Sequence, residues 1–227
     1  MHNILLNGIL NYNTTLFYTI NGSMDNSVFN IIMPILTNFG SLIAWSLVCI
    51  LIFIFGGRYG KKVAIFGLLA LFLSSAAVLF LKYIIAEPRP FLVLNHVHLL
   101  TMENDYSFPS GHAAASFAAA VAIGKKYSFI IKGKSYKLIY PLLAFAAVIG
   151  FSRVYIGVHY PLDVIFGAAI GIISALAVIR FESRRKPAVF GPRNFFIIKN
   201  FEDKILNFIG SKRIINMDIT KKLKNII

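Results

Sequence analysis

An all-α integral membrane protein, a bundle of about five to six transmembrane helices, is the fold class this sequence predicts. Three observations carry that expectation. Apolar residues make up 57% of the 227, charged residues only 14%, and the mean hydropathy is +0.72, which is too greasy and too poor in charge for a soluble domain of this length. About five runs approach the roughly 20 apolar residues that a spanning helix needs. The basic residues collect between those runs and after the last of them.

The first run lies near Ile35–Phe55 (ILTNFGSLIAWSLVCILIFIF) and the second near Val63–Ala86. The third runs from Ala113 to about Ile131, with Lys125 and Lys126 marking its exit. The fourth lies near Leu138–Tyr155 and the fifth near Leu162–Ile179. Residues 1–34 form an N-terminal interfacial segment or a weak sixth span, because "ILLNGILNYNTTLFYTI" is apolar but interrupted by Asn7, Asn11 and Asn13. That stretch lacks the basic leader and small-residue cleavage site of a signal peptide, so it is expected to stay in the mature protein. The lone cysteine, Cys49, sits within an apolar run, which excludes an internal disulfide and a thiolate metal site. The chain thus divides into residues 1–34, a membrane core over 35–181 and a basic tail over 182–227.

The formal net charge of +14 raises the question of a nucleic-acid partner, and its distribution answers no. Arg58, Lys61 and Lys62 lie between the first two runs, and Lys125, Lys126, Lys132, Lys134 and Lys137 between the third and fourth. Twelve more lie from Arg180 onward. Short loops rich in Lys and Arg stay in the cytoplasm, so the charge reports topology: a multi-pass cell-membrane protein with a cytoplasmic tail. On an anionic inner leaflet that tail would form a basic amphipathic helix, or it is simply solvated. Lys82, Arg89 and Arg153 alone fall on the outer face. Ionisable residues at membrane helices are costly and point to function.

Four helix ends meet on that outer face, and three motifs occupy them. "KYIIAEPRP" holds Lys82 and Arg89 at the end of the second run, where Pro88 and Pro90 stop the helix and keep Arg89 in a stiff, extended segment. A guanidinium there is a planar fork for phosphate oxygens, and Lys adds a point charge. "PSGH", Pro109–His112, opens the third run. Ser110 is a good N-cap, Gly111 lets a ligand approach the backbone, and a helix N-terminus favours an anion. His112 beside such an anion is placed to give a proton to a leaving oxygen. "SRVYIGVHYPLD" carries Arg153, His159 and Asp163. His159 and Asp163 are four apart and share a helix face. A carboxylate on one imidazole nitrogen leaves the other nucleophilic.

Taken together, K-x6-RP, PSGH and SR-x5-H-x3-D resemble the type 2 phosphatidic acid phosphatase superfamily over about residues 35–181, and no motif position departs from its pattern. The resemblance implies that His159 attacks phosphorus and becomes a phosphohistidine, that Asp163 orients it, and that His112 protonates the leaving group and then helps activate water. Lys82, Arg89, Ser110, Gly111 and Arg153 would bind the phosphoryl oxygens. No cofactor and no metal are expected. The expected substrate is a polyprenyl diphosphate (undecaprenyl- or dolichyl-type), with phosphatidic acid or phosphatidylglycerophosphate as the rival, and the lipid bilayer is the partner. From another class, the chain would be an idle lipid-phosphate binder or transporter; a haloperoxidase is disfavoured by the small membrane bundle. The outer loop "FLVLNHVHLLTMENDYSF" is apolar and then acidic at Glu103 and Asp105. Phe91–Leu94 is expected to guide a lipid tail. His96 and His98, spaced i, i+2 with no further ligand, read as ordinary loop histidines.

Overall fold

The computed structural model describes residues 2–131 and 134–184; the basic tail from residue 185 lies outside the described residues. The chain begins with helix α1 (His2–Tyr18), a π-helical turn Thr19–Ser23, and α2 (Ser27–Asn38), which Asn26 caps by accepting from Phe29 N. Ser41 caps α3 (Leu42–Phe55) in the same way through Ala44 N. Helix α4 (Gly57–Ile85) is the longest among the described residues and ends in a left-handed Ala86. A single turn, α5 (Pro90–Val93), follows Arg89. After a long loop come α6 (Gly111–Gly124), the hairpin β1 (Ser128–Ile131) and β2 (Lys134–Lys137), α7 (Ile139–Tyr155) and α8 (Pro161–Arg184).

Two stretches, Gly57–Val93 and Pro161–Phe181, are long and apolar enough to cross a membrane. The α2–α3 pair makes a third if its 55° bend falls within one span, while α6 and α7 are apolar but shorter. The third run departs from expectation. Its helix stops at Gly124, and residues 128–131 pair antiparallel with 134–137 rather than extending α6. Lys125 and Lys126 break the apolar face, and Ser128–Ile131 is rich in β-branched and aromatic residues that suit a strand. Phe129 stacks on Tyr136 across the hairpin with ring centroids 5.6 Å apart.

Helix α6 is the axis of the bundle. Every residue from Ala113 to Gly124 except Phe117 is buried, and the helix packs on α3, α4, α7 and α8. Its alanines are what allow this, because small side chains let four neighbours come close at once. The approach of α8 is closest. A Cβ on Gly167 would lie 2.4 Å from the Ser110 carbonyl oxygen, and one on Gly171 would lie 2.2 Å from that of Ala114. These two glycines bring the starts of α6 and α8 together, and the site depends on that junction.

Candidate active site

Backbone contacts lock the junction. Ser110 N donates to the Asp163 carbonyl at 3.0 Å, and the Ser110 hydroxyl accepts from Ala113 N at 3.5 Å, capping α6. Gly111 and the half-buried His112 then form the first turn of α6. Pro161 opens α8, so Asp163 falls in its first turn, with His159 just before it.

Asp163 Oδ2 is the hub of the next layer. It accepts from Tyr160 N at 2.8 Å and from the Ser107 hydroxyl at 2.6 Å, and it lies 3.2 Å from His159 Nδ1. The carboxylate partner places the proton on Nδ1 and leaves a lone pair on Nε2. Nε2 in turn lies 3.3 Å from Arg89 Nη1. His159 is fully buried; burial first, then the charges of Arg153 and Arg89, hold it well below the usual imidazole range. It is therefore neutral at pH 7, the form a nucleophile requires.

Three buried cations lie near this pair. Arg89 is 1% exposed; Nη1 donates to the Val158 carbonyl at 2.8 Å and Nε to the Asp105 carbonyl at 2.8 Å. Its Nη2 bonds the Asp105 carboxylate and lies 3.6 Å from Glu103 Oε2. Arg153 bonds Glu103 through Nη2 and Thr37 Oγ1 through Nη1 at 3.1 Å. Its Nε is one of two buried side-chain polar atoms without a partner among the described residues. Lys82 donates to the Tyr106 carbonyl and lies 3.0 Å from Asp105 Oδ2. Burial by itself would raise both loop acids. For Glu103 the charge and hydrogen bond of Arg153 prevail, and for Asp105 the hydrogen bonds from Arg89 and Lys82, so both carboxyls are held below the ordinary range.

The structure thus gathers Lys82, Arg89, Arg153, His159 and Asp163 into one buried cluster beside Ser110, Gly111 and His112. It also adds residues that the motifs did not mark. Ser107 touches both members of the His159–Asp163 pair, its Oγ lying 3.4 Å from His159 Nδ1. Its only signal in the sequence was a hydroxyl just upstream of "PSGH". The N-terminal segment enters through Asn21, whose amide donates to the His98 and Tyr155 carbonyls at 2.8 Å while its Oδ1 accepts from His98 N at 2.9 Å. This clamp fastens the loop between α5 and α6 to the end of α7. Beside it Gly157 has φ +86, and a Cβ there would lie 2.8 Å from the His98 carbonyl. His98 Nδ1 lies 3.1 Å from Asp25. Of the apolar turn, Phe91 packs inward against Tyr155, Ile156 and Val158, while Leu92 and Val93 are exposed.

Comparison with known proteins agrees in kind. Residues 63–187 match the PAP2 superfamily. The chain is 32% identical over 183 residues to the undecaprenyl-diphosphatase BcrC of Bacillus subtilis, covering 78% of this chain and 88% of that one. It is 31% identical over 177 residues to an undecaprenyl-diphosphatase of Sulfolobus acidocaldarius, covering 77% and 80%. Among solved structures it is similar to Aquifex aeolicus LpxE, with a TM-score of 0.63 and 32% identity over 74% of this chain and 95% of that one.

Proposed function

The chain belongs to the PAP2 superfamily and is a membrane phosphatase hydrolase, and from that premise we propose that it hydrolyses a polyprenyl diphosphate to the monophosphate through a phosphohistidine at His159. The observation that carries this reading is the buried, neutral His159, its Nδ1 on Asp163 and its Nε2 beside Arg89. Nε2 attacks the terminal phosphorus, and the bond from phosphorus to the bridging oxygen breaks. His112 gives a proton to that oxygen, and the lipid monophosphate leaves. Water then attacks the phosphohistidine with His112 as base, and inorganic phosphate and free His159 result. Asp163 holds the ring and balances the charge that the imidazole gains. Ser107 is a positioning residue that fixes the Asp163 carboxylate. Lys82, Arg89 and Arg153, with Ser110 and the Gly111 N–H, hold the phosphoryl oxygens. Such transfer is catalysed mainly by positioning and charge. The three cations supply that charge, so no metal is required.

Lys and Arg in the short loops at the opposite end support a multi-pass topology with the site outside and the tail in the cytoplasm. The similarity to two undecaprenyl-diphosphatases favours the diphosphate over glycerolipid phosphates. The test is phosphate release by the detergent-purified chain, in EDTA, from a panel of isoprenyl diphosphates and glycerolipid phosphates, with His159→Ala alongside. Release from the diphosphates that survives EDTA and is lost in the variant is expected. A preference for glycerolipid phosphates would overturn the substrate assignment, and loss in EDTA would overturn the metal-free mechanism.

A further inference from the structure

The donors that would hold a phosphoryl group are already engaged by carboxylates of the chain itself. Glu103 sits on Arg153 and reaches toward Arg89, and Asp105 bridges Arg89 and Lys82. Two carboxylates therefore place their oxygens among three cations, which is the pattern a phosphoryl group would need to occupy. The two sides of these ion pairs differ sharply in access to water. The side chains of Lys82, Arg89 and Arg153 are 7%, 1% and 2% exposed, whereas Glu103 and Asp105 are 28% and 55% exposed. A buried cation stripped of its anion is strongly destabilising. A half-exposed carboxylate, by contrast, regains most of its hydration when it turns outward.

Anchoring of the loop has the same division. Its start is fastened by the Asn21 clamp on His98 and by Leu100 N on the Ile156 carbonyl. Its end is fastened by Ser107 N on the Glu87 carbonyl and by the Ser107 hydroxyl on Asp163. Between these anchors, residues 101–106 are held largely by the acids and the Asp105 and Tyr106 carbonyls on the cations. The contacts to Asp163 and His159 are made by the Ser107 anchor and not by this stretch.

We infer that Glu103 and Asp105 are built-in competitors for the phosphoryl site, so that substrate binding is an exchange of anions and only groups bearing at least two negative charges enter well. This rests on the proposed use of the three cations to hold phosphoryl oxygens. An incoming diphosphate or phosphate monoester replaces two carboxylate charges with two or more of its own and adds contacts that the carboxylates do not make, among them one to Arg153 Nε. A phosphodiester brings a single charge and leaves the buried cations under-compensated. After hydrolysis the same carboxylates return and help expel inorganic phosphate. The two residues thus set the specificity and affinity of the site, and the reaction does not consume them.

Calorimetric titration of the detergent-purified full chain with orthophosphate and with dimethyl phosphate tests this, using wild type, Glu103→Gln, Asp105→Asn and the double variant, each with its melting temperature. Orthophosphate should bind at least tenfold more tightly to the double variant, with part of the gain in each single variant. Dimethyl phosphate should become measurable only once the carboxylates are gone. Variants that melt like wild type and bind orthophosphate equally or more weakly would overturn the inference, since the carboxylates would then only hold the cations in place. Hydrogen exchange on the wild type needs no variant. Saturating orthophosphate should raise exchange across residues 101–106, and no rise would count against the competition. Hydrolysis assays separate the two readings. Tighter orthophosphate binding without turnover of any polyprenyl diphosphate would leave the exchange standing and remove the substrate assignment. Turnover dependent on His159 without tighter binding would do the reverse.

Discussion

The two ends of the helix bundle treat positive charge in opposite ways. At the hairpin end Arg58, Lys61, Lys62 and Lys125 are exposed, and Lys61 lies over the Phe53 ring at 5.3 Å. Lysines there cover apolar surface with their stems and keep their heads in water. At the other end Lys82, Arg89 and Arg153 are buried and are met by Glu103, Asp105 and backbone carbonyls. A long, flexible cation on a membrane helix can usually reach water, so a cluster that does not is held there by other contacts. Most of those contacts come from one loop, with Val158 and Thr37 adding others, and the loop is fastened on one side by Asn21 and on the other by Ser107. Charge at the hairpin end is exposed, whereas charge at the site end is buried and paired, which is the contrast the proposed chemistry rests on.

Substitutions that cross this divide should differ by orders of magnitude. Arg153→Ala removes a proposed phosphoryl donor and leaves Glu103 without its main partner, so kcat/KM for lipid diphosphate should fall by about 10²–10³-fold. Arg153→Lys should recover only part, because it keeps the charge and loses the planar fork. Near-wild-type turnover in Arg153→Ala would break the contrast between the two ends.

A smaller effect is expected at Ser107. Replacing it by Ala removes one of the donors on Asp163 Oδ2, and kcat should drop on the order of tenfold with KM little changed, since a charge-orienting hydrogen bond is worth about 1.5–3 kcal/mol at most. Ser107→Thr should restore much of it. A change in KM alone would mean that Ser107 contacts substrate instead of the catalytic pair.

Glu103 and Asp105 test the electrostatics of the site through stability. Burial alone would raise both carboxyls, but Arg153, Arg89 and Lys82 hold them below the ordinary range, so the stability they bring is present at neutral pH and lost as pH falls through the folded-state values. Melting curves at falling pH should show the Glu103→Gln, Asp105→Asn double variant gaining on wild type. A gap that stays flat or widens would contradict the assignment. Least of all should change in Lys61→Ala at the hairpin end, with stability within about 0.5 kcal/mol of wild type and unaltered turnover.

Much of the site was legible in the sequence because its members are rare in their surroundings. A Lys, two Arg, a His and an Asp stand out in an apolar chain, and helix alternation puts them on one face. The helical core was legible for the same reason: long apolar runs leave few other folds. The supporting contacts were hidden because each joins distant parts of the chain. Ser107 and Asp163 are 56 residues apart, Arg153 and Glu103 50, and Asn21 and His98 77. No local period encodes such pairs. Glu103 and Asp105 carry no local signal of their partners, which only the folded loop brings to them. Residues 128–131, the first strand of the hairpin, resemble the end of a span because their apolar residues continue those of α6 in composition, though not in structure. The 55° bend between α2 and α3 has a visible cause, Phe39-Gly40 followed by the capping Ser41, but apolar content alone ran through it.

The central claim is that His159 carries the phosphoryl group. Rapid quench of the purified chain with a polyprenyl diphosphate labelled in its terminal phosphate tests it most directly. The account predicts a protein-bound phosphate that is stable in alkali, labile in acid, mapped to His159 and absent from His159→Ala. Steady phosphate release with no labelled protein at any time, under conditions where His112→Ala also fails to accumulate it, would contradict the account and point to direct attack by water.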